Sequence, residues 1–185
     1  HNLGIEWENS KHAVLGRSPA SRDPNQPRPG QGPDCIRCHT AQGFVQQTKK
    51  QALSLPENPQ PQTCVTCHDP HSNERKHQLR LVGKVDLPNG VKMKAGVAAA
   101  CVTCHNARRN TSDPATLSGR FAPHFGPQGE MLAGTGAFEV GGRYDISFHA
   151  SDQFVLPGET QNKKCVTCHM APGPPEGAPG HHRVG

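Results

Sequence analysis

The chain is short of the residues that build an apolar interior. Hydrophobic residues fill 32% of its 185 positions and aromatics 4%. Chains of this length ordinarily bury most of their surface around an apolar core. There is too little Leu, Ile, Val and Phe here for that. Composition alone therefore points to a loop-rich chain that needs some other staple. No apolar run is long enough to cross a membrane as a helix. No signal-peptide pattern is present, so the sequence reads as a mature or trimmed chain. No dense basic patch is interleaved with aromatics, which sets nucleic acid aside as a partner. No Ser/His/Asp set and no paired carboxylates announce a catalytic centre, so the chain does not read as an enzyme. No cysteine stands alone.

What is present is eight cysteines, 12 histidines, 20 glycines and 18 prolines. Every cysteine belongs to a pair with two residues between, and every pair is followed by histidine. The four segments are Cys35-Ile-Arg-Cys38-His39, Cys64-Val-Thr-Cys67-His68, Cys101-Val-Thr-Cys104-His105 and Cys165-Val-Thr-Cys168-His169. C-x-x-C-H is the signature of c-type haem attachment. On a helical turn, residues i, i+3 and i+4 share one face. Two thiols can then reach the two vinyl groups of one porphyrin while the adjacent imidazole faces the iron. Disulfides would suit an exported chain but require no histidine after each pair. Structural zinc uses such knuckles in twos and requires no fixed His in all four. A thioredoxin-like pair needs one motif beside a βαβ unit. Four covalent haems are therefore expected, held by Cys35, Cys38, Cys64, Cys67, Cys101, Cys104, Cys165 and Cys168. His39, His68, His105 and His169 are the expected proximal iron ligands.

Four macrocycles would supply the apolar core that the side chains cannot. The expected fold is irregular and loop-rich, with short α-helices carrying the motifs, a haem-dominated core and little or no sheet. A single tetrahaem domain is expected over residues 1–170, with a Pro/Gly-rich tail over 171–185. Folding should be coupled to cofactor attachment, as in small metal-dependent domains.

Each iron has a second axial position, and two strong ligands would leave it suited to electron transfer. Eight histidines remain for it. His71 lies three residues after His68, in His68-Asp69-Pro70-His71, and the extended step before proline aims it outward. His12 and His149 fall in a repeat, aromatic-x-x-Ser-x-His-Ala, read as Trp7-Glu8-Asn9-Ser10-Lys11-His12-Ala13 and Tyr144-Asp145-Ile146-Ser147-Phe148-His149-Ala150. His124 sits in Pro123-His124-Phe125-Gly126-Pro127, where a rigid step and an aromatic can hold a ligand. His12, His71, His124 and His149 are thus the expected distal ligands. His77, in Glu74-Arg75-Lys76-His77, reads as solvated; His1, His181 and His182 are terminal. Met93 and Met131 are possible ligands made unnecessary by the spare histidines, and Met170 is badly placed beside His169. Glycines at 129, 134, 136, 141 and 142 suggest loops with a short hairpin.

The formal charge is +5. With two propionates and one ferric core charge per haem, the loaded protein would sit at about +1. Arg37, Arg108, Arg109, Lys163 and Lys164 flank the motifs and read as propionate partners.

On the four motifs, the Cys67-His68-Asp69-Pro70-His71-Ser72 segment, the two Ser-x-His-Ala segments and the block from Ala122 to Ala137, the chain resembles the multihaem c-type cytochromes over residues 7–169. The resemblance implies haems stacked in close pairs and a protein exported to the periplasm or beyond, with haem attached outside the cytoplasm. The small tetrahaem size is similar to the extracellular cytochrome nanowires. That likeness implies a homopolymer passing electrons to extracellular acceptors or redox partner proteins, in which His12 is donated to a neighbouring subunit. A soluble periplasmic tetrahaem carrier is the alternative. A multihaem reductase is the less favoured one, because such enzymes often carry an atypical motif or an iron without a distal ligand.

Overall fold

The computed structural model describes residues 2–13, 33–110, 127–135, 151–152 and 162–170. The chain divides into two compact units, His1–Leu81 with Cys168–Gly185, and Val82–Thr167. The expected tail over 171–185 lies outside the described residues.

In the first unit, α1 (Asn2–Glu8) runs into a 3₁₀ turn, Lys11–Ala13. Helix α2 (Pro33–His39) carries the first Cys pair, and α3 (Ala41–Thr48) follows after the single residue Thr40. Thr40 makes that sharp junction by adopting an extended conformation (φ −133°, ψ 145°) at the N-cap of α3. Its hydroxyl donates to the Ile36 carbonyl at 3.0 Å and accepts from the Gly43 N–H at 3.0 Å. One side chain thus adds a second bond to the Ile36 carbonyl, which already accepts the Thr40 N–H at 3.0 Å, and serves an orphan donor of α3. The two helices close on Ile36, Ala41 and Phe44, all buried. Gly43 permits the approach: a Cβ there would overlap the Ile36 carbonyl oxygen. Gln42 binds the Asn58 carbonyl and the Gln60 N–H (2.8 and 2.9 Å), laying the connecting segment along α3. The chain then enters α4 (Cys64–Cys67).

In the second unit, β1 (Gly83–Asp86) pairs antiparallel with β2 (Lys92–Gly96), in the register Val85 opposite Met93 and Asp86 opposite Lys92. Leu87-Pro88-Asn89-Gly90 makes the turn. The Gly90 N–H closes it on the Leu87 carbonyl at 2.9 Å, and Gly90 takes the left-handed φ of 83°. Strand β2 alternates, burying Met93 and Ala95 and exposing Lys92 and Lys94. Helix α5 (Ala99–Cys104) follows within three residues, lies beside both strands and buries Ala99, Ala100 and Val102. Helix α6 (Gln128–Leu132) lies against α5 at Gly129, where a Cβ would meet Val102 Cγ1 at 3.1 Å and the His105 carbonyl at 3.2 Å. The unit boundary falls inside α7 (Cys165–His169).

Short helices, long connections and a single two-stranded sheet among the described residues are the loop-rich architecture expected. A hairpin forms at 83–96; the glycines at 136, 141 and 142, where the sequence suggests a short one, lie outside the described residues. One detail differs from expectation. Gly129 belongs to a helix, because close packing on α5 requires the missing Cβ. Among the described residues, no helix is long and apolar enough to cross a membrane.

Candidate haem-attachment sites

All four Cys pairs lie on a short helical turn: Cys35 and Cys38 in α2, Cys64 and Cys67 in α4, Cys101 and Cys104 in α5, Cys165 and Cys168 in α7. No disulfide joins any of the eight cysteines. The helical turn therefore places each pair on one face, and the thiols are not consumed by one another.

The residues between the cysteines hold these turns in place. Thr66, buried within α4, accepts the Thr63 N–H through its hydroxyl at 2.9 Å. Thr167 takes the same place in the fourth motif and accepts the Lys163 N–H at 2.8 Å. Each satisfies a donor at the start of a turn too short to satisfy its own. Thr103 differs, bonding back to the Ala99 carbonyl at 2.8 Å. Upstream of the fourth motif, Lys164 takes a left-handed φ of 58°. Its N–H meets Asn162 Oδ1 at 2.7 Å, and its buried ammonium faces Asp152 at 3.4 Å. Lys164 is thus paired with a carboxylate of the chain and does not stand open as a propionate partner.

Local fields act on the thiols differently. Burial pushes the Cys67 thiol up, the neighbouring Cys64 adds to this, and Arg80 opposes it. The Cys165 thiol is lowered by a hydrogen bond from Cys101, against the effect of burial. That bond also brings the leading cysteines of the third and fourth motifs together within the second unit.

The histidines sit in distinct settings. His39 closes α2, and His169 closes α7. His68 and His105 are the C-caps of α4 and α5, with N–H groups on the Cys64 and Cys101 carbonyls at 2.9 and 2.7 Å. The His105 carbonyl accepts the Gly129 N–H at 2.8 Å, so α6 steadies the third motif. Just beyond, Glu130 has no exposed surface and both its oxygens take the Ala107 N–H (3.0 and 2.9 Å). Burial raises the Glu130 carboxyl above its ordinary range, and the Ala107 bond partly opposes this.

Among the candidate distal ligands, His12 is half-buried in the 3₁₀ turn after α1. Its arm is tied to the rest of the first unit by Trp7, whose indole Nε1–H donates to the Gln62 carbonyl at 2.6 Å. The Gln62 amide in turn donates to the Cys38 carbonyl of the first motif. His71 is exposed, its N–H turned onto Asp69 Oδ1 at 3.2 Å. His124 and His149 lie outside the described residues, as do His1, His181 and His182. Met93 is buried on β2 of the hairpin, and Met131 is half exposed.

Residues 57–110 match the family model described as a doubled CXXCH motif. The doubled motif over these residues supports a multihaem c-type cytochrome. The matched segment holds the second and third motifs and the hairpin between them. No curated protein and no solved structure matches the chain.

The residues present fit covalent haem. The cysteine pairs have the required helical spacing and are not oxidised to disulfides. Arg37 Nε, one residue from Cys38, is buried with no hydrogen-bond partner, as suits a guanidinium meant for a carboxylate. Among the described residues, no three or more His, Cys, Asp or Glu side chains converge to cage a metal ion. A haem needs only two axial ligands from the protein, whereas structural zinc draws on four.

Proposed function

We propose that this protein transfers electrons through four covalently attached haems, each with a histidine on both sides of its iron. The observation that carries this reading is the placing of all four Cys-x-x-Cys-His segments on helical turns with no cysteine in a disulfide. In that role the eight motif cysteines hold the porphyrins by thioethers, and His39, His68, His105 and His169 bind from the proximal side. His12, His71, His124 and His149 bind from the distal side. A haem so bound supplies a reversible one-electron iron couple with both axial positions taken. The protein's own residues orient the imidazoles, neutralise propionates through groups such as Arg37, and keep the motif turns folded. Neither an open iron nor a general acid enters this role, so it is carriage of electrons and not catalysis. The proposed setting is exported, periplasmic or extracellular, because thioether attachment takes place outside the cytoplasm. Its partners are redox proteins or extracellular acceptors.

The decisive experiment is haem stoichiometry on the purified holoprotein, from its mass and its pyridine haemochrome spectrum. Four haems per chain, low-spin in both oxidation states, is the expected result. Two haems, confined to the segment 57–110, or a substantial high-spin fraction would refute it.

The proposed assembly is a homopolymer in which His12 serves a neighbouring subunit. A second reading is favoured by the Trp7–Gln62 bond, which fastens the His12 arm to its own chain. In that reading His12 serves a haem of the same molecule and the protein is a discrete carrier. Electron micrographs separate the two: ordered filaments support the polymer, and uniform small particles with a fully low-spin spectrum support the carrier.

A further inference from the structure

The second motif is followed by a loop whose bonds converge on one imidazole. We propose that residues 69–80 form a strap that fixes the ring of His68, with Arg80 and the left-handed step at His77 as its positioning residues. The proposal rests on the reading of His68 as an iron ligand.

The central contact is between His68 Nδ1 and the backbone carbonyl of His77, at 2.6 Å. A carbonyl only accepts, so Nδ1 must carry the proton, which leaves Nε2 with its lone pair for a metal. The backbone around this contact is paired like a small sheet. His68 bridges Leu79, the Asp69 N–H meets the Gln78 carbonyl at 2.7 Å, and the Arg80 N–H meets the Cys67 carbonyl at 2.8 Å. Aiming the His77 carbonyl inward costs backbone strain. His77 has φ 60° and ψ 19°, and Gln78 has φ 55°, so two consecutive non-glycine residues are left-handed. Such conformations persist only where the surroundings over-determine them.

Arg80 supplies that constraint. Its side chain is 12% exposed, and it pairs with Asp69 Oδ2 at 2.8 Å. Its Nε donates to the Val65 carbonyl inside the motif at 3.0 Å. Arg75 holds the far end by donating to the Arg80 carbonyl at 2.7 Å. Arg80 thus clips both ends of the strap to α4, with its backbone on Cys67 and its fork on Val65 and Asp69. The same Asp69 receives the His71 N–H, so one guanidinium also steadies the turn that presents the distal candidate.

The consequence is electronic as well as geometric. An imidazole that donates Nδ1–H to a fixed carbonyl is a stronger base at Nε2 and favours the more positive metal ion. The strap therefore holds the potential of the second haem below the value a freely turning His68 would give. His77 acts here through its carbonyl, and its side chain is dispensable.

The test is a redox titration of the holoprotein that resolves the individual haems, together with proton exchange at His68 Nδ1 followed by NMR. Arg80→Gln should raise the midpoint of one transition, leave the others in place and speed Nδ1–H exchange roughly ten-fold. His77→Val, which resists the left-handed conformation, should move the same transition. His77→Asn, which tolerates it, should leave that transition where it is in the wild type. If Arg80→Gln fails to retain haem, Arg80→Lys carries the same expectation, since it keeps the charge but loses the fork. Unmoved midpoints in Arg80→Gln and His77→Val, a uniform shift of every transition, or an equal shift in His77→Asn would overturn the strap. Peptide mapping that finds no haem at Cys64 and Cys67 in the wild type would instead overturn the reading of His68 beneath it.

Discussion

Replacing Gly43 by alanine should destabilise the protein, although helix propensity favours the reverse. In an exposed helix interior, glycine to alanine is worth about 1 kcal/mol in favour of alanine. At position 43 the added methyl would overlap the Ile36 carbonyl oxygen and would lie 2.6 Å from the Ile36 carbonyl carbon and 2.8 Å from Thr40 Oγ1. Two of these atoms are backbone and cannot rotate away. Overpacking of this kind costs about 1–3 kcal/mol. Displacing Thr40 also weakens its bond to the Gly43 N–H, worth about 1 kcal/mol. Set against the propensity gain, the net loss is about 1–3 kcal/mol. The control is Gly4→Ala in α1, where a Cβ meets nothing within 4 Å and propensity alone acts. Urea unfolding of the holoprotein, followed by far-ultraviolet circular dichroism, reads both variants. The midpoint of Gly43→Ala should fall with little change in slope, and that of Gly4→Ala should hold or rise. A Gly43→Ala protein as stable as the wild type would refute the seating of α2 on α3, and with it the account of how the first motif is positioned.

Two further predictions use the same assay. Trp7→Phe keeps a ring but loses the Nε1–H bond to Gln62, and should cost about 0.5–1.5 kcal/mol while loosening the arm that carries His12; an unchanged midpoint would detach the arm from the first unit. Glu130 is held above its ordinary carboxyl range by burial, so the folded state favours its protonated form. Its stabilising contribution is complete below its ordinary value of 4.5 and is lost as pH rises through the raised folded-state value. Glu130→Gln should therefore lose less stability than the wild type between about pH 4.5 and neutrality, and parallel pH profiles for the two proteins would count against the assignment.

The helical turns of the four motifs were legible because their signal is local: Cys, Cys and His at i, i+3 and i+4 share a face wherever that turn is helical. The scarcity of sheet among the described residues agrees with a composition short of Leu, Ile, Val and Phe. What escaped was non-local or carried by the backbone. His77 read as a solvated side chain in a charged run, and its side chain is exposed; its carbonyl is what meets His68, and side-chain chemistry gives no sign of that. Arg80 stands 11 residues from its partner Asp69, with nothing in its neighbours to mark it. Gly129 read as a loop former and Gly43 drew no reading, whereas both are helical positions cleared for a neighbouring element. The threonines of the Cys-Val-Thr-Cys segments were the missed signal that was available. The same residue in three of the motifs was visible, and it caps the turn in two of them. Glu130 on Ala107 joins residues 23 apart, and only the packing of α6 on α5 brings them together.

The small size of the side chains buried in α5 and the hairpin has a thermal consequence. Among the described residues, seven of the twelve buried apolar side chains are alanine: Ala41, Ala95, Ala98, Ala99, Ala100, Ala107 and Ala133. Small side chains let α5, α6 and the hairpin come close, but each removes little hydrocarbon from water. The heat capacity gained on unfolding scales with the apolar surface exposed. The contribution of the described residues to that increment is therefore small, and apolar surface covered by bound macrocycles would add to it.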